Sequence, residues 1–239
     1  MTSNMRMREL HADQPAWPAL VDATERAFEA FIGQKGFPCL GAKASQARGG
    51  LRFVCMHDIA SADDDRRMTA CLQDFAVQAH DESLFVSLVV LFPGSARMSE
   101  RAFEAALWQR LRAMHAIDCA THAWDRSVSD DPASGTFSMS VGGKAFYVVG
   151  MYPGASRPAR RFRCPALVFN LHSQFEQLRL DGRYEKLRQS IIERDIAFAG
   201  SANPMLDVYG KSSEARQYSG RQVDENWLCP FHAAGKPPR

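Results

Sequence analysis

The side chains best suited to chemistry lie between Cys164 and Phe231. In the run Phe169-Asn-Leu-His-Ser-Gln-Phe-Glu-Gln-Leu-Arg179, His172 and Glu176 are four residues apart, so on a helix they share a face with Arg179 close by. A histidine leaving an apolar strand into the first turn of a helix aims a ring nitrogen at the core. It reads either as a capping or core histidine or as a ligand. A second unit joins Gly200-Ser-Ala-Asn-Pro-Met-Leu206 to Ser212-Ser-Glu-Ala-Arg-Gln-Tyr-Ser-Gly-Arg221. It is dense in directional hydrogen-bonding groups, among them Glu214, Arg216, Gln217, Tyr218, Ser219 and Arg221. A long loop of this kind is functional, structural or disordered, and Tyr209, Tyr218 and Trp227 argue against disorder. Each arginine there has a structural alternative, an ion pair with Glu214 or Asp224.

Six cysteines, Cys39, Cys55, Cys71, Cys119, Cys164 and Cys229, are scattered without framework spacing. That pattern suits thiols or ligands rather than disulfides. Cys229-Pro-Phe-His232 with Cys55 and His57 would make a zinc set, but such spacings are common by chance. No P-loop, Gly-x-Ser-x-Gly elbow or dinucleotide-binding glycine signature is present.

These side chains need a scaffold, and the hydrophobic pattern supplies one. Helices are predicted over 13–31 (apolar stripe Leu20, Ala23, Ala27, Phe28, Phe31), 63–79, 98–117, 172–180 and 184–198. Strands are predicted over 51–56, 84–92, 135–141, 145–151 and 166–169, with Gly142-Gly143 as a hairpin turn. The run 84–92 is almost continuously apolar, as in a strand buried on both faces. Residues 40–50 read as a Gly- and Ala-rich turn, and the basic run 157–163 as a solvated loop. The expectation is one α+β domain over 1–239: a central, mainly antiparallel sheet, flanking helices and a loop-rich C-terminal segment.

Composition narrows the class further. The 239 residues are 46% hydrophobic and 23% charged, which suits a packed globular chain rather than a disordered one. A net charge of +2 is a weak footprint for nucleic-acid binding. No apolar stretch approaches the ~20 residues that span a bilayer, and the first residues carry no hydrophobic signal core. The expectation is therefore a cytoplasmic protein with neither nucleic-acid nor membrane partners. A homodimer is left open.

Taken together, the 167–179 run, Gly182-x-Tyr184-Glu185, Arg194-Asp195, the 200–206 and 213–221 units, Trp227-Leu-Cys-Pro-Phe231 and Phe37-Pro38-Cys39 resemble the YqcI/YcgG family. The likeness covers most of the chain and is dense in its last third. Characterised members of that family are heme-dependent N-hydroxylases, as in guanitoxin and D-cycloserine biosynthesis. The resemblance implies heme b, dioxygen, an external electron donor and a small amine or guanidine substrate. It makes His172 the leading axial ligand and metal-binding residue, with Cys39, Cys229 and His80 as rivals. Phe37, Phe169, 84–92 and 146–151 are candidate walls, and Arg216 and Arg221 candidate propionate partners. Glu214 and Glu176 are the candidate catalytic carboxylates for a substrate nitrogen. Tyr218, or Ser219, is a candidate for binding dioxygen or relaying protons. Glu176 has two rival duties, orienting His172 and pairing with Arg179. Two other outcomes compete: a non-catalytic heme carrier or sensor, and a metal-independent protein with a purely structural C-terminal network.

Overall fold

The computed structural model describes residues 16–79, 85–206 and 210–232. His80 and Tyr209, and the first residues of the predicted 13–31 helix and 84–92 strand, lie outside them. Along the described chain run α1 (Trp17–Gly33), α2 (Leu40–Ala47), β1 (Leu51–Cys55), α3 (Asp65–Gln78), β2 (Ser87–Leu91), α4 (Glu100–Asp118), β3 (Met139–Val141) and β4 (Lys144–Met151). A single 3-10 turn (Pro158–Arg160) follows, then β5 (Ala166–Leu171), α5 (His172–Leu180), α6 (Tyr184–Ala199) and α7 (Ala215–Tyr218).

The strands form one sheet in the order β1-β2-β5-β4-β3. The β1–β2 pairing is parallel, crossing through α3, and the other three pairings are antiparallel. The sheet is thus mixed, with the antiparallel majority expected. Period-2 alternation sends Leu88, Val90, Phe146, Val148, Leu167 and Phe169 to the face covered by α3 and α4. It sends Val89, Leu91, Met151 and Ala166 to the opposite face, with Phe28 and Ile32 of α1. Every residue of β2 is buried, as its unbroken apolar run predicts.

Three local readings change. The buried stripe of α1 is Trp17, Val21, Thr24, Phe28 and Ile32, while Leu20 is exposed. Thr24 belongs to it because its hydroxyl donates to Leu20 O and accepts from Arg163. The 40–50 turn contains α2 instead. Alanine is the best helix former, and Cys39 caps the start by accepting from Ala42 N at 3.4 Å. The basic run is solvated only in part: Arg161 and Arg163 are exposed, Arg157 and Arg160 half-buried, and all four donate to a protein oxygen.

The short β3 pairs only with residues 144–146, so α7 packs against the remainder of β4. Gly150 makes this contact feasible. A Cβ at that position would lie 2.7 Å from Leu107 Cδ1 and 2.8 Å from the Tyr218 carbonyl oxygen. Arg160 fixes the junction, donating to Gly150 O (2.9 Å), Tyr218 O (3.3 Å) and Gln217 O (3.1 Å).

Candidate functional site

The α7 segment carries a buried carboxyl. Oε1 of Glu214 accepts from Ser138 Oγ at 2.7 Å and from the Tyr218 hydroxyl at 2.5 Å. The Tyr218 oxygen also accepts from Met139 N at 3.1 Å and lies 3.2 Å from Phe146 O. The helical turn between 214 and 218 puts the two side chains on one face, and the β3–β4 hairpin closes around them. Burial raises Glu214 to about 7, against the pull of the Ser138 and Tyr218 donors and of Arg179. A carboxyl poised there exchanges a proton near neutrality. Neither expected arginine pairs with it. Arg221 binds Glu104 through Nε and Nη2, both at 2.7 Å, and Arg216 donates to the backbone oxygen of Asp224.

At the head of α5, His172 Nε2 and Glu176 Oε1 are 3.0 Å apart, and Arg179 donates to the same oxygen. The shared helix face expected from the i, i+4 spacing is realised, and Glu176 fills both of its rival duties. Burial lowers the His172 pKa, opposed by Glu176, so the ring is neutral near pH 7. With Nε2 turned to Glu176, coordination by this ring would fall to Nδ1. Arg179 also lies over the Tyr184 ring, 4.7 Å from its centroid.

A third group lies on the α1- and α2-facing side of the sheet, which holds Cys39 and Phe37 and one face of the candidate wall 146–151. Val168 and Val149, on the third and fourth strands of the sheet, are half-buried, while Val148, Leu167 and Phe169 behind them are fully buried. Tyr147 and Asn170 on the same side are also half-buried. The middle of the sheet is therefore incompletely covered here, and this half-exposed strip, on the side where Cys39 and Ala42 pack, is the crevice. Its polar end is ordered: Ser87 Oγ donates to Asn170 Oδ1 (2.7 Å), and the Tyr147 hydroxyl donates to Gln217 Oε1 (2.8 Å). Gln174 bridges Phe85 N and Val86 O. The half-buried Cys39 sits at the N-terminus of α2, in the field of Arg160. Burial raises its pKa, whereas the Ala42 and Gly41 backbone donors and Arg160 lower it. The signal missed in sequence was polar residues at Asn170 and Tyr147 inside otherwise apolar central strands.

The predicted site residues thus fall in separate places. Glu214 and Tyr218 are joined, and so are His172 and Glu176. Phe169 is buried on the α3/α4 face, while Cys39 packs on the opposite one. Cys55 and Cys229 are divided by the sheet in the same way, so no zinc set forms from them. Among the described residues no three His, Cys, Asp or Glu side chains cluster as a metal site. Ser201 to Met205 of the 200–206 motif instead line a pocket of about 320 Å³ and mixed polarity with Ser156, Arg157, Gly220 and Gln222.

The sequence profile of the YqcI/YcgG family matches residues 28–232, which spans α2, Cys39, the sheet and all three side-chain groups. The chain belongs to the YqcI/YcgG family. No curated protein and no solved structure matches it. Within this YqcI/YcgG protein, a heme requires an apolar slot, a ligand atom and nearby positive charge. Val149 and Val168 offer apolar surface there and Cys39 a ligand atom, while Arg160, the nearby charge, is already bonded to three backbone oxygens. Phe169, Arg216 and Arg221 are engaged elsewhere.

Proposed function

We propose that this YqcI/YcgG protein is a heme-dependent monooxygenase that hydroxylates a nitrogen of a small amine or guanidine compound. The observation that carries the reading is the half-covered centre of the sheet facing a thiol at a helix N-terminus. Family membership supports it. Cys39, or His172 through Nδ1, would hold the iron; Val149 and Val168 would pack against the macrocycle. Heme b, when bound, supplies dioxygen activation with electrons from an external donor.

The chain's own part is positioning and proton control. Burial dominates at Cys39 and raises its pKa, and the Ala42 and Gly41 amides and Arg160, which oppose it, are the groups that would support an anionic sulfur on a bound iron. Asn170, Ser87 and Tyr147 present amide and hydroxyl groups at the polar end of the crevice for a substrate nitrogen. Glu214 is sealed behind Tyr218, which suits proton exchange through the phenol rather than contact with substrate. No helix among the described residues is long and apolar enough to cross a membrane. Its six free thiols fit the reducing cytoplasm, where we place the enzyme.

The test is heme titration of the purified full chain and its Cys39→Ala and His172→Ala variants, read as oxidised, reduced and reduced-plus-CO spectra. The wild type should develop a Soret band that Cys39→Ala shifts or abolishes, with a reduced-CO band near ~450 nm if the thiolate ligates. An effect confined to His172→Ala transfers the ligand role to His172. No Soret band in the wild type removes the oxygenase reading. A normal spectrum without oxidised product from amines or guanidines, given reductant and oxygen, makes the protein a heme carrier or sensor.

A further inference from the structure

Aromatic side chains divide by type across the sheet. On the α1-facing side phenylalanine predominates: ring contacts join Phe28, Phe31, Phe37, Phe53, Phe162 and Phe198, apart from Trp17, which stacks on His57 at 5.7 Å. On the other side, three of the chain's four tryptophans, Trp108, Trp124 and Trp227, gather with Tyr218 around Phe137 and Phe231. Tryptophan and tyrosine are the side chains that release one electron most readily, so the division concerns redox chemistry as well as packing.

Within this cluster the oxidisable rings form an ordered series. Trp227 is half-buried, and its ring centroid is 6.2 Å from that of the fully buried Trp108. Trp108 stacks on Tyr218 at 5.6 Å with an interplanar angle of 20°. Tyr218 meets Tyr147 edge-on at 5.8 Å. Because β3 ends early, α7 carries this last contact around the edge of β4, from the α3/α4 core to the crevice side. The series therefore starts at a partly exposed tryptophan and ends at a ring in the electrostatic neighbourhood of Cys39.

The proton partners match the order. A tyrosine loses its phenolic proton when it loses an electron, so a relay tyrosine needs a base in contact. Glu214 Oε1 lies 2.5 Å from the Tyr218 hydroxyl. Trp108 Nε1 is buried with no hydrogen-bond partner among the described residues. An oxidised Trp108 therefore keeps its proton and is left to regain an electron.

We propose that Trp227, Trp108, Tyr218 and Tyr147 form an electron relay between solvent and the crevice, with Glu214 as the proton acceptor of Tyr218. The oxidant in the crevice is supplied by the activity proposed above, and this inference rests on that reading for its purpose. A high-potential one-electron oxidant in the crevice takes one electron from Tyr218 across the Tyr147 ring, which serves as a bridge without being oxidised and keeps its phenolic proton, donated to Gln217, and the Tyr218 proton moves to Glu214. Trp108 returns one electron to Tyr218 while Glu214 returns the proton. Trp227 reduces Trp108, and a one-electron donor in solution, a reduced flavin or iron–sulfur protein, reduces Trp227. The net change is one electron from donor to oxidant, with no proton left over in the chain.

The relay is testable without heme. The cofactor-free full chain is flashed with a ruthenium tris-bipyridyl sensitiser and a sacrificial acceptor, and radicals are followed by transient absorption and freeze-quench EPR. In the wild type a tyrosyl signal should grow as a tryptophanyl signal decays. Tyr218→Phe should remove that tyrosyl signal and prolong the tryptophanyl one. Trp108→Phe should lower the Tyr218 radical yield at least tenfold. Glu214→Gln keeps the volume but removes the base, and should slow tyrosyl formation at least tenfold. Near-ultraviolet circular dichroism checks that each variant is folded, and Tyr152→Phe, off the series, should match the wild type. Equal tyrosyl yield in wild type and Trp108→Phe, or a signal unaffected by Tyr218→Phe, overturns the relay. A heme titration that fails while the relay signals appear removes the oxygenase alone.

Discussion

Glu214 concentrates the side-chain energetics in one titration. Its ordinary value is 4.5 and its folded value about 7, set by burial with the residue only 9% exposed. Below pH 4.5 the group is protonated in folded and unfolded chains alike. Between 4.5 and 7 the unfolded chain ionises while the folded one keeps its proton, so stability falls as pH rises. Above 7 both are ionised and the loss is constant. The difference amounts to about 3 kcal/mol by linkage. Glu214→Gln should therefore gain on the wild type by about that amount between pH 4.5 and 8 in urea unfolding. The downward-shifted His115 and His172 titrate in both proteins and cancel in the difference. A flat difference would mean that Glu214 titrates as an ordinary carboxyl. Tyr218→Phe tests the same network from its other side. It removes the acceptor of Met139 N and a donor to Glu214, and should lower stability by about 1–3 kcal/mol, more above pH 7 than below 4.5 because the lost donor favoured the ionised carboxylate.

At the level of elements, α7 is the piece on which geometry depends most and about which local sequence says least. Its four residues are too few for a helical pattern, and only packing on β4 holds them. Gly150 is the condition for that packing. Gly150→Ala would place a methyl carbon 2.8 Å from a backbone oxygen and 2.9 Å from the Phe103 ring. The first cannot yield without moving α7, and the Phe103 ring of α4 is fully buried, so the variant should lose about 1–3 kcal/mol in thermal or urea unfolding and weaken the near-ultraviolet circular dichroism of Trp108. Elements with long periodic signals were readable from sequence: α3, α4, α5, α6 and the doubly buried β2. The α2 helix was missed because Gly41 and a cysteine cap mimic a turn. The α1 stripe was misplaced because Thr24, a polar residue, is buried by two hydrogen bonds. The His172–Glu176 pair was legible because helical spacing alone brings it together. The crevice was not, since the partial exposure of Val149 and Val168 depends on how α2 and α6 lie across strands distant in sequence.

At the scale of the whole molecule, the C-terminal segment belongs to the core. Ala215, Tyr218 and Phe231 are members of the α3/α4-side cluster, and Phe231 contacts Trp108, His115, Trp124 and Phe137. The segment is also tied by charge, since Arg221 and Ser219 both bind Glu104 of α4. Its loop-like sequence suggests an appendage, yet Tyr218 and Phe231 land against α4 and the β3–β4 region, elements formed far earlier in the chain. Removing the chain after Gly210 would withdraw the carboxyl network, the edge cover of β4 and the ring seated on Trp108 together. That truncation should abolish cooperative urea unfolding and shift tryptophan emission to the red as Trp108 meets water. Phe231→Ala isolates the packing contribution. It should lose about 3–5 kcal/mol while keeping the same unfolding slope, because the site is enclosed by rigid rings that cannot collapse into the void. A truncated chain that still unfolded cooperatively, with native emission, would show instead that the sheet and α1–α6 fold alone and that the C-terminal segment is added to a finished core.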